Sequence, residues 1–403
     1  MNNTVAVNIN LMKKKSSWHT VRISDVCEID PSKRELNGID KSMEVSFAMM
    51  ADLPEHKRYF SPIEIKKISE VTKGGYSYFR ENDVLLAKMT PCFENGKSGI
   101  ALNLKNGIGF GSTEFYVLRS NGKVVADWIY FIISSEKFLE EGKHSLIGTT
   151  GRRRLIKHYV ESFKIPLPPL EEQNCIVSLF QTIETAIEQT EQQEKNLRAL
   201  QKSLSNGLVS EEPVFGNLLN RKNCTPTNFG GVADCIEQHD KQKKDVNRFI
   251  GLENIEPENL KITTWGNIAD GTTFTKRFSK GDVLFGKRRA YLKKVAVADF
   301  DGICSGDILV LRANEKKILP ELLPFYVSVD AFIQHAVSTS AGSLSPRTKW
   351  RDLSSFEISI PDLKTQEKIV EVFQHIQTIL EQIKTQKQTL KNLKQKLLNE
   401  ILG

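Results

Sequence analysis

Basic residues in this 403-residue chain gather beside glycine-rich turns, in pairs of segments that correspond. Arg152, Arg153 and Arg154 follow Gly148-Thr149-Thr150-Gly151, and the corresponding Gly342-Ser343-Leu344-Ser345-Pro346-Arg347 continues into Lys349 and Arg351. A second pair sets Lys88, Thr90, Asn95 and Lys97 against Lys287, Arg288, Arg289, Tyr291, Lys293 and Lys294. Guanidinium groups read guanine edges bidentately, while Lys, Ser, Thr and Asn serve phosphates and other base edges. A lone basic cluster is an ordinary solvated face. Recurrence at matching positions points instead to a polyanion, and these residues, with Thr149, Thr150, Ser343 and Ser345, are the candidate nucleic-acid contacts. Tyr76 and Tyr78 read as strand-surface residues packing on neighbours.

Other chemistries find no support. The seven histidines include no HExxH or other i, i+4 pair, and the six cysteines include no C-x-x-C, which argues against zinc and against a disulfide framework. Gly107-Ile108-Gly109-Phe110-Gly111 resembles a phosphate loop only in composition. Its counterpart Gly302-Ile303-Cys304-Ser305-Gly306 drops the middle glycine, so a tight turn between strands is expected. Hydrophobic residues make up 39% and charged residues 26%, near a globular average. No apolar run approaches the roughly 18 residues that span a bilayer. Lys13–Lys15 follow the apolar start rather than precede it, the wrong order for a signal peptide. The net charge of +7 permits a polyanionic partner.

The elements that must position these loops occur twice. Phe47-Ala48-Met49-Met50-Ala51-Asp52-Leu53 answers Phe249-Ile250-Gly251-Leu252-Glu253-Asn254-Ile255, and FRENDVL at 79–85 answers FSKGDVL at 278–284. Lys88 then falls on Lys287, Glu114 on Asp307, Leu118-Arg119 on Leu311-Arg312, and Ser134 with Phe138 on Ser328 with Phe332. The strongest match, FKIPLPPLEEQNCIV at 163–177 against FEISIPDLKTQEKIV at 356–370, closes each copy. Short segments such as Val84–Ala87, Phe115–Leu118, Val283–Phe285 and Ile308–Leu311 read as strands. Helices are expected near 126–141 and 320–337. Both domains should be α+β with small, largely antiparallel sheets.

Prolines 166, 168, 169 and 361 stop the last strand of each copy, and a long helix follows. Its heptad stripe is Ile176, Ile183, Thr190, Leu197 and Leu204 in the first copy, and Ile369, Ile376, Ile383, Leu390 and Leu397 in the second. Positions three residues on, Leu179, Ala186 and Leu200 against Val372, Ile379 and Leu393, complete the expected seam, which Gln193 and Gln386 interrupt. Residues 171–208 carry six acidic and three basic groups, and 364–401 four acidic and seven basic, which suits mutual packing. A helix of about 37 residues is roughly 55 Å long. With a linker from Gly207 to Asn228, antiparallel packing delivers the second domain to the far end without retracing that length. The expected architecture is two similar α/β domains separated by two long antiparallel coiled-coil helices, a pseudo-twofold internal repeat.

At Pro166-Leu167-Pro168-Pro169-Leu170-Glu171-Glu172-Gln173, echoed by Ile360-Pro361-Asp362-Leu363-Lys364-Thr365-Gln366-Glu367, and at the Gly281–Leu284 stretch, the chain resembles specificity subunits of type I restriction-modification systems. The resemblance covers nearly everything from about Trp18. It departs where Asp362 replaces the second proline and where Thr190 stands against Ile383. It implies an N-terminal tail (1–16), two target recognition domains (17–168 and 210–361), each reading half of an asymmetric bipartite double-stranded DNA site, and spacer helices at 169–209 and 362–403. It further implies docking of two copies of an adenine-N6 methyltransferase subunit and of restriction/translocase subunits in the cytoplasm. The chain itself would hold no cofactor; S-adenosylmethionine, ATP and Mg would belong to those partners. A related system whose partner fuses methyltransferase and nuclease, or a coiled-coil adaptor without sequence-specific DNA contact, are the competing readings.

Overall fold

The structure is a computed structural model that describes residues 18–149, 151–210, 219 and 223–402. The expected tail, 1–16, and Thr150 lie outside the described residues. The chain divides into two compact units. One runs through Gln189 and resumes at Lys387, and the other is Thr190–Gln386.

Among the described residues the first unit holds two large sheets beside two two-stranded ones. One orders Cys27–Ile29, Phe115–Ser120, Val84–Ala87, Ser98–Ala101 and Tyr59–Phe60, and the other orders Glu64–Lys67, Glu44–Ala48, Ile108–Gly111 and Ser77–Arg80. The second unit repeats them: Ala233–Cys235, Ile308–Ala313, Val283–Gly286 and Val295–Val297, then Gly266–Asn267, Arg248–Ile250, Gly302–Cys304 and Lys276–Phe278. Most pairs are antiparallel, and both second sheets keep the same parallel pair, Phe47 against Phe110 and Phe249 against Ile303. The internal repeat and the α+β class therefore hold strand for strand. The fifth strand of the first sheet shrinks in the second unit to a parallel bridge between Lys261 and Val297.

Several expectations need correction. Of the glycine segments at 107–111 and 302–306, only Gly107 and Gly306 lie in turns, because Ile108–Gly111 and Gly302–Cys304 are strands. A Cβ on Gly109 would come 2.1 Å from the Phe79 ring, and one on Gly302 2.6 Å from Phe278. Glycine is there so that the neighbouring strand's aromatic ring can lie over the backbone. Each expected amphipathic helix is broken in two. Ala126–Ile133 and Glu136–Lys143 are parted by extended Ser135, whose hydroxyl caps the second helix at Phe138 N–H. Leu323–Ser328 and Asp330–Ser338 are parted by extended Val329. The end of the expected linker, Cys224–Asn228, is an edge strand paired with Glu357–Pro361, where Pro226 is tolerated. Tyr78 is buried rather than on a strand surface, and Tyr76 packs edge-on against Phe47 at 4.9 Å.

The long helices are α1 (Leu170–Gly207) and α2 (Leu363–Leu402). Within the first unit, Ile176, Phe180 and Ile183 near the start of α1 share a core with Leu397, Leu398 and Ile401 near the end of α2. Within the second, Leu204 and Leu208 at the end of α1 share a core with Ile369 and Phe373 at the start of α2. Start meets end in both, so the helices are antiparallel. The heptad stripe is inward-facing: Ile176, Ile183, Thr190, Ile369, Ile376, Ile383 and Leu397 are buried, and Leu197, Leu204 and Leu390 half-buried. The companion position, however, lies four residues on, not three. Phe180, Phe373, Leu380 and Ile401 are buried, whereas Leu200 and Leu393, three residues after their stripe positions, are 48% and 39% exposed. Four-residue spacing lets Phe180 meet Phe131 (4.6 Å between ring centroids) and Phe373 stack on Phe325 (3.8 Å). Gln193 and Gln386 are exposed and leave the seam uninterrupted.

The proline-to-glutamine motif has a physical cause. Gln173 is fully buried; its amide donates to the Pro168 and Lys123 carbonyls (2.8 and 3.2 Å) and accepts from Val125 N–H (2.9 Å). Gln366 repeats the pattern with Pro361, Lys317 and Leu319 at 2.9, 2.8 and 2.8 Å. One side chain thus ties the strand end, the helix start and the segment before the domain's helices. Asp362, where the first copy has proline, caps α2 by accepting from Thr365 N–H at 2.9 Å.

Candidate nucleic-acid interface

The two basic segments of each domain, some 60 residues apart in sequence, are hydrogen-bonded together. In the first unit Leu155 N–H donates to the Lys88 carbonyl (2.7 Å), and Thr90 N–H to the Arg153 carbonyl (3.0 Å). In the second, Thr348 N–H donates to the Lys287 carbonyl (3.1 Å), and Arg289 N–H to the Pro346 carbonyl (2.8 Å). Lys88 N–H meets the Glu114 carbonyl, and Lys287 N–H that of Asp307, both at 2.9 Å. The framework beneath is equally repeated. Buried Asp83 and Asp282, the aspartates of the two DVL motifs, accept from Arg119 (2.6 Å) and Arg312 (2.7 Å) and cap their own turns through Arg80 N–H and Ser279 N–H, both 2.7 Å. A desolvated carboxylate with charge-assisted partners is well satisfied, and it fixes the strand from which each basic loop leaves.

The candidate side chains fall into distinct environments. Arg154 forms a fork with Glu114 (3.0 and 2.5 Å), Arg153 pairs with Glu94 (2.9 Å), and Arg347 (2.7 Å) and Arg288 (3.1 Å) share Asp307. Burial raises the Asp307 carboxyl, but the Arg347 hydrogen bond and the charges of Arg347, Arg288 and Lys287 outweigh it and hold it below its ordinary value. Lys293 is held by Asp330 (2.7 Å), Lys294 by the Leu252 carbonyl (2.5 Å), and Lys97 by the Met50 carbonyl (3.3 Å). Lys88 lies 5.0 Å from the Tyr116 ring centre, and Asn95 donates to Glu55 at 3.2 Å. Thr90 is buried, with Arg153 N–H on its hydroxyl. Arg351 lies beside Asp352 at 3.3 Å. Arg152, Arg289, Lys349, Thr149, Ser343 and Tyr291 are exposed, and Lys287 and Ser345 half-buried. Among the described residues neither Arg152 nor Lys349 has an acidic partner. In each unit, then, paired arginines brace a loop that lifts unpaired cations into solvent.

Two residues escaped the sequence reading. Leu344, at the tip of the 342–346 loop, is 89% exposed. Arg248 has its guanidinium 4.2 Å from the Trp265 ring centre and 4.9 Å from that of Phe300. Their settings depend on residues elsewhere in the sequence: Asp307 and Arg289 brace the 342–346 loop, and both aromatic rings lie downstream of Arg248.

The buried thiols Cys27 and Cys304, and half-buried Cys235, are not poised as nucleophiles. Burial pushes Cys27 and Cys304 up to about 12, and burial with Glu237 nearby pushes Cys235 to about 11. No group of three or more His, Cys, Asp or Glu among the described residues could hold a metal ion. No helix among them is long and apolar enough to cross a membrane.

Residues 15–198 and 233–392 match the family model described as the type I restriction modification DNA specificity domain. The chain is 34% identical over 177 residues to the Type I restriction enzyme EcoAI specificity subunit of Escherichia coli, a match covering 44% of this chain but only 29% of that relative. Against the EcoDI specificity subunit of the same organism identity is 23% over 420 residues, covering 94% of this chain and 87% of that one. A chain of a solved type I restriction-modification system superposes with a TM-score of 0.63 at 19% identity, over 95% of this chain and 97% of the other, which establishes a shared fold. With the family model matched twice and the structural repeat coinciding with it, the chain belongs to the specificity subunits of type I restriction-modification systems.

Proposed function

We propose that this chain is the non-catalytic DNA reader of its complex, each unit's basic loops contacting one half of an asymmetric bipartite site in double-stranded DNA. The observation that carries the reading is the repeated bracing of those loops, by Arg154 on Glu114 and by Arg347 on Asp307, beneath unpaired cations. The loops share a frame but differ in sequence, which supports two different half-sites. The exposed apolar positions of the long helices, Leu170 and Leu200 on α1 and Leu363, Ile379 and Leu393 on α2, would seat two adenine-N6 methyltransferase subunits, with restriction subunits completing the assembly. S-adenosylmethionine, ATP and Mg belong, in this reading, to those partners, and the complex works in the cytoplasm.

The test uses the complex with the methyltransferase subunit. Replacing Arg152, Arg153 and Arg154 with alanine should weaken DNA binding and flatten its salt dependence by about one unit of slope for each phosphate that is no longer neutralised. Unchanged affinity and slope would favour an adaptor that makes no sequence-specific DNA contact.

A further inference from the structure

We propose that Leu344 is a specificity contact that takes the C5-methyl group of a thymine in the half-site read by the second unit. The inference rests on the DNA-reading function proposed above and adds to it a chemical requirement. Leu344 is 89% exposed, yet it sits on a pinned loop. Ala341 and Arg347 exchange backbone hydrogen bonds at 3.0 and 2.9 Å, closing the loop at its base. Gly342 turns it with a φ of +109°, a conformation that favours glycine. Arg289 holds the far side through the Pro346 carbonyl (2.8 Å), and Arg347 is anchored to Asp307. The loop backbone is thus held on both sides, and it carries the leucine side chain almost wholly into solvent.

Its surroundings say what covers it. The Arg289 guanidinium donates to the Leu344 carbonyl at 3.5 Å, Arg347 and Lys349 follow it in the chain and are exposed, and Tyr291 on the adjoining loop is 53% exposed. An apolar tip on a loop that also carries exposed cations fits a polyanion that carries an apolar group at the bottom of a charged groove. On duplex DNA that group is the thymine methyl in the major groove. A wedge between base pairs is disfavoured, since burying one leucine returns no more than unstacking a base step costs. In the corresponding loop of the first unit the exposed apolar residue is Ile147 (63%), at the loop's base ahead of Gly148, and Gly151, with a φ of +89°, leads into exposed Arg152. The methyl requirement assigned to Leu344 therefore concerns the second half-site.

The test titrates the complex with its mapped cognate duplex, each thymine of that half-site being replaced singly by deoxyuridine, with wild-type chain and with Leu344→Ala. Because the Leu344 side chain stands almost wholly in solvent, the variant leaves the fold intact. One deoxyuridine should weaken wild-type binding about fourfold, the worth of one methyl group. Leu344→Ala should weaken binding at least as much on the thymine duplex and no further on the deoxyuridine duplex. Equal losses on both duplexes, no deoxyuridine effect at any position, or a second half-site without thymine would overturn the assignment while leaving the DNA-reading function standing. A wild-type complex that does not distinguish its mapped site from a scrambled duplex would remove both.

Discussion

Arg154 grips Glu114 forty positions earlier in the chain, and Arg347 grips Asp307 at the same separation. These two pairs join the basic loop of each domain to the start of the strand beneath it. They also divide the arginines of the candidate interface into those that brace and those that remain open to solvent.

Removing the brace should separate affinity from specificity. Asp307→Asn releases Arg347 and Arg288 from their carboxylate and loosens the loop. Binding of the complex to non-cognate DNA should tighten slightly with a steeper salt slope, while the preference for cognate DNA falls about tenfold, the scale of one charge-assisted hydrogen bond. Anisotropy titrations against both duplexes across a salt series measure the two effects.

The same carboxylate fixes a pH dependence. Its pKa in the folded chain lies below that of the unfolded chain, so its stabilising contribution is present above the ordinary value of about 4 and is lost as pH falls through the depressed folded value. Between pH 5 and 9 the difference in stability between wild type and Asp307→Asn should stay constant. It should shrink only below pH 4, as followed by proteolysis of the 342–347 loop or by denaturation.

Buried Gln173 and Gln366 should be indispensable in a way that surface polar residues are not. Gln173→Ala leaves Val125 N–H and two carbonyls without their partner, at a cost of about 2–4 kcal/mol. Gln173→Glu should be worse, because a buried carboxylate would face the Pro168 and Lys123 carbonyls. Chemical denaturation of the complex ranks the three chains.

Buried and exposed ion pairs should differ sharply. Arg58 is buried, donating to Asp127 at 2.8 Å and Glu184 at 2.5 Å, and Lys394 reaches the same glutamate at 2.8 Å. Arg58→Met leaves Glu184 with Lys394 and Asp127 with the Tyr59 hydroxyl but removes the buried cation they share, and should cost about 2–3 kcal/mol. Lys261 pairs with Glu381 where both side chains are mostly exposed, so Lys261→Met should cost less than about 1 kcal/mol. The comparison requires only denaturation curves.

The repeat was readable because the residues that carry it do the same work twice. Phe79 and Phe278 cover a glycine strand, Asp83 and Asp282 hold an arginine, and Gln173 and Gln366 lock a helix start. What escaped the sequence was any choice between equally apolar neighbours. Leu179 and Phe180 both extend the stripe begun by Ile176, and only packing against Phe131 selects Phe180. The glycine segments resembled turns because their aromatic partners lie in another strand. At the interface, composition picked out the basic segments but could not show that the two of each domain are hydrogen-bonded together, that Lys293 and Lys294 are taken up by Asp330 and the Leu252 carbonyl, or that Leu344 is exposed.

The most direct test is a genome-wide map of N6-methyladenine in cells expressing this chain with the adenine-N6 methyltransferase subunit proposed as its partner, compared with that methyltransferase alone. The account predicts a two-part asymmetric motif with a constant gap, methylated only when the chain is present. Methylation that is identical with and without the chain, while the two proteins still co-purify and the complex binds all DNA alike, would contradict it.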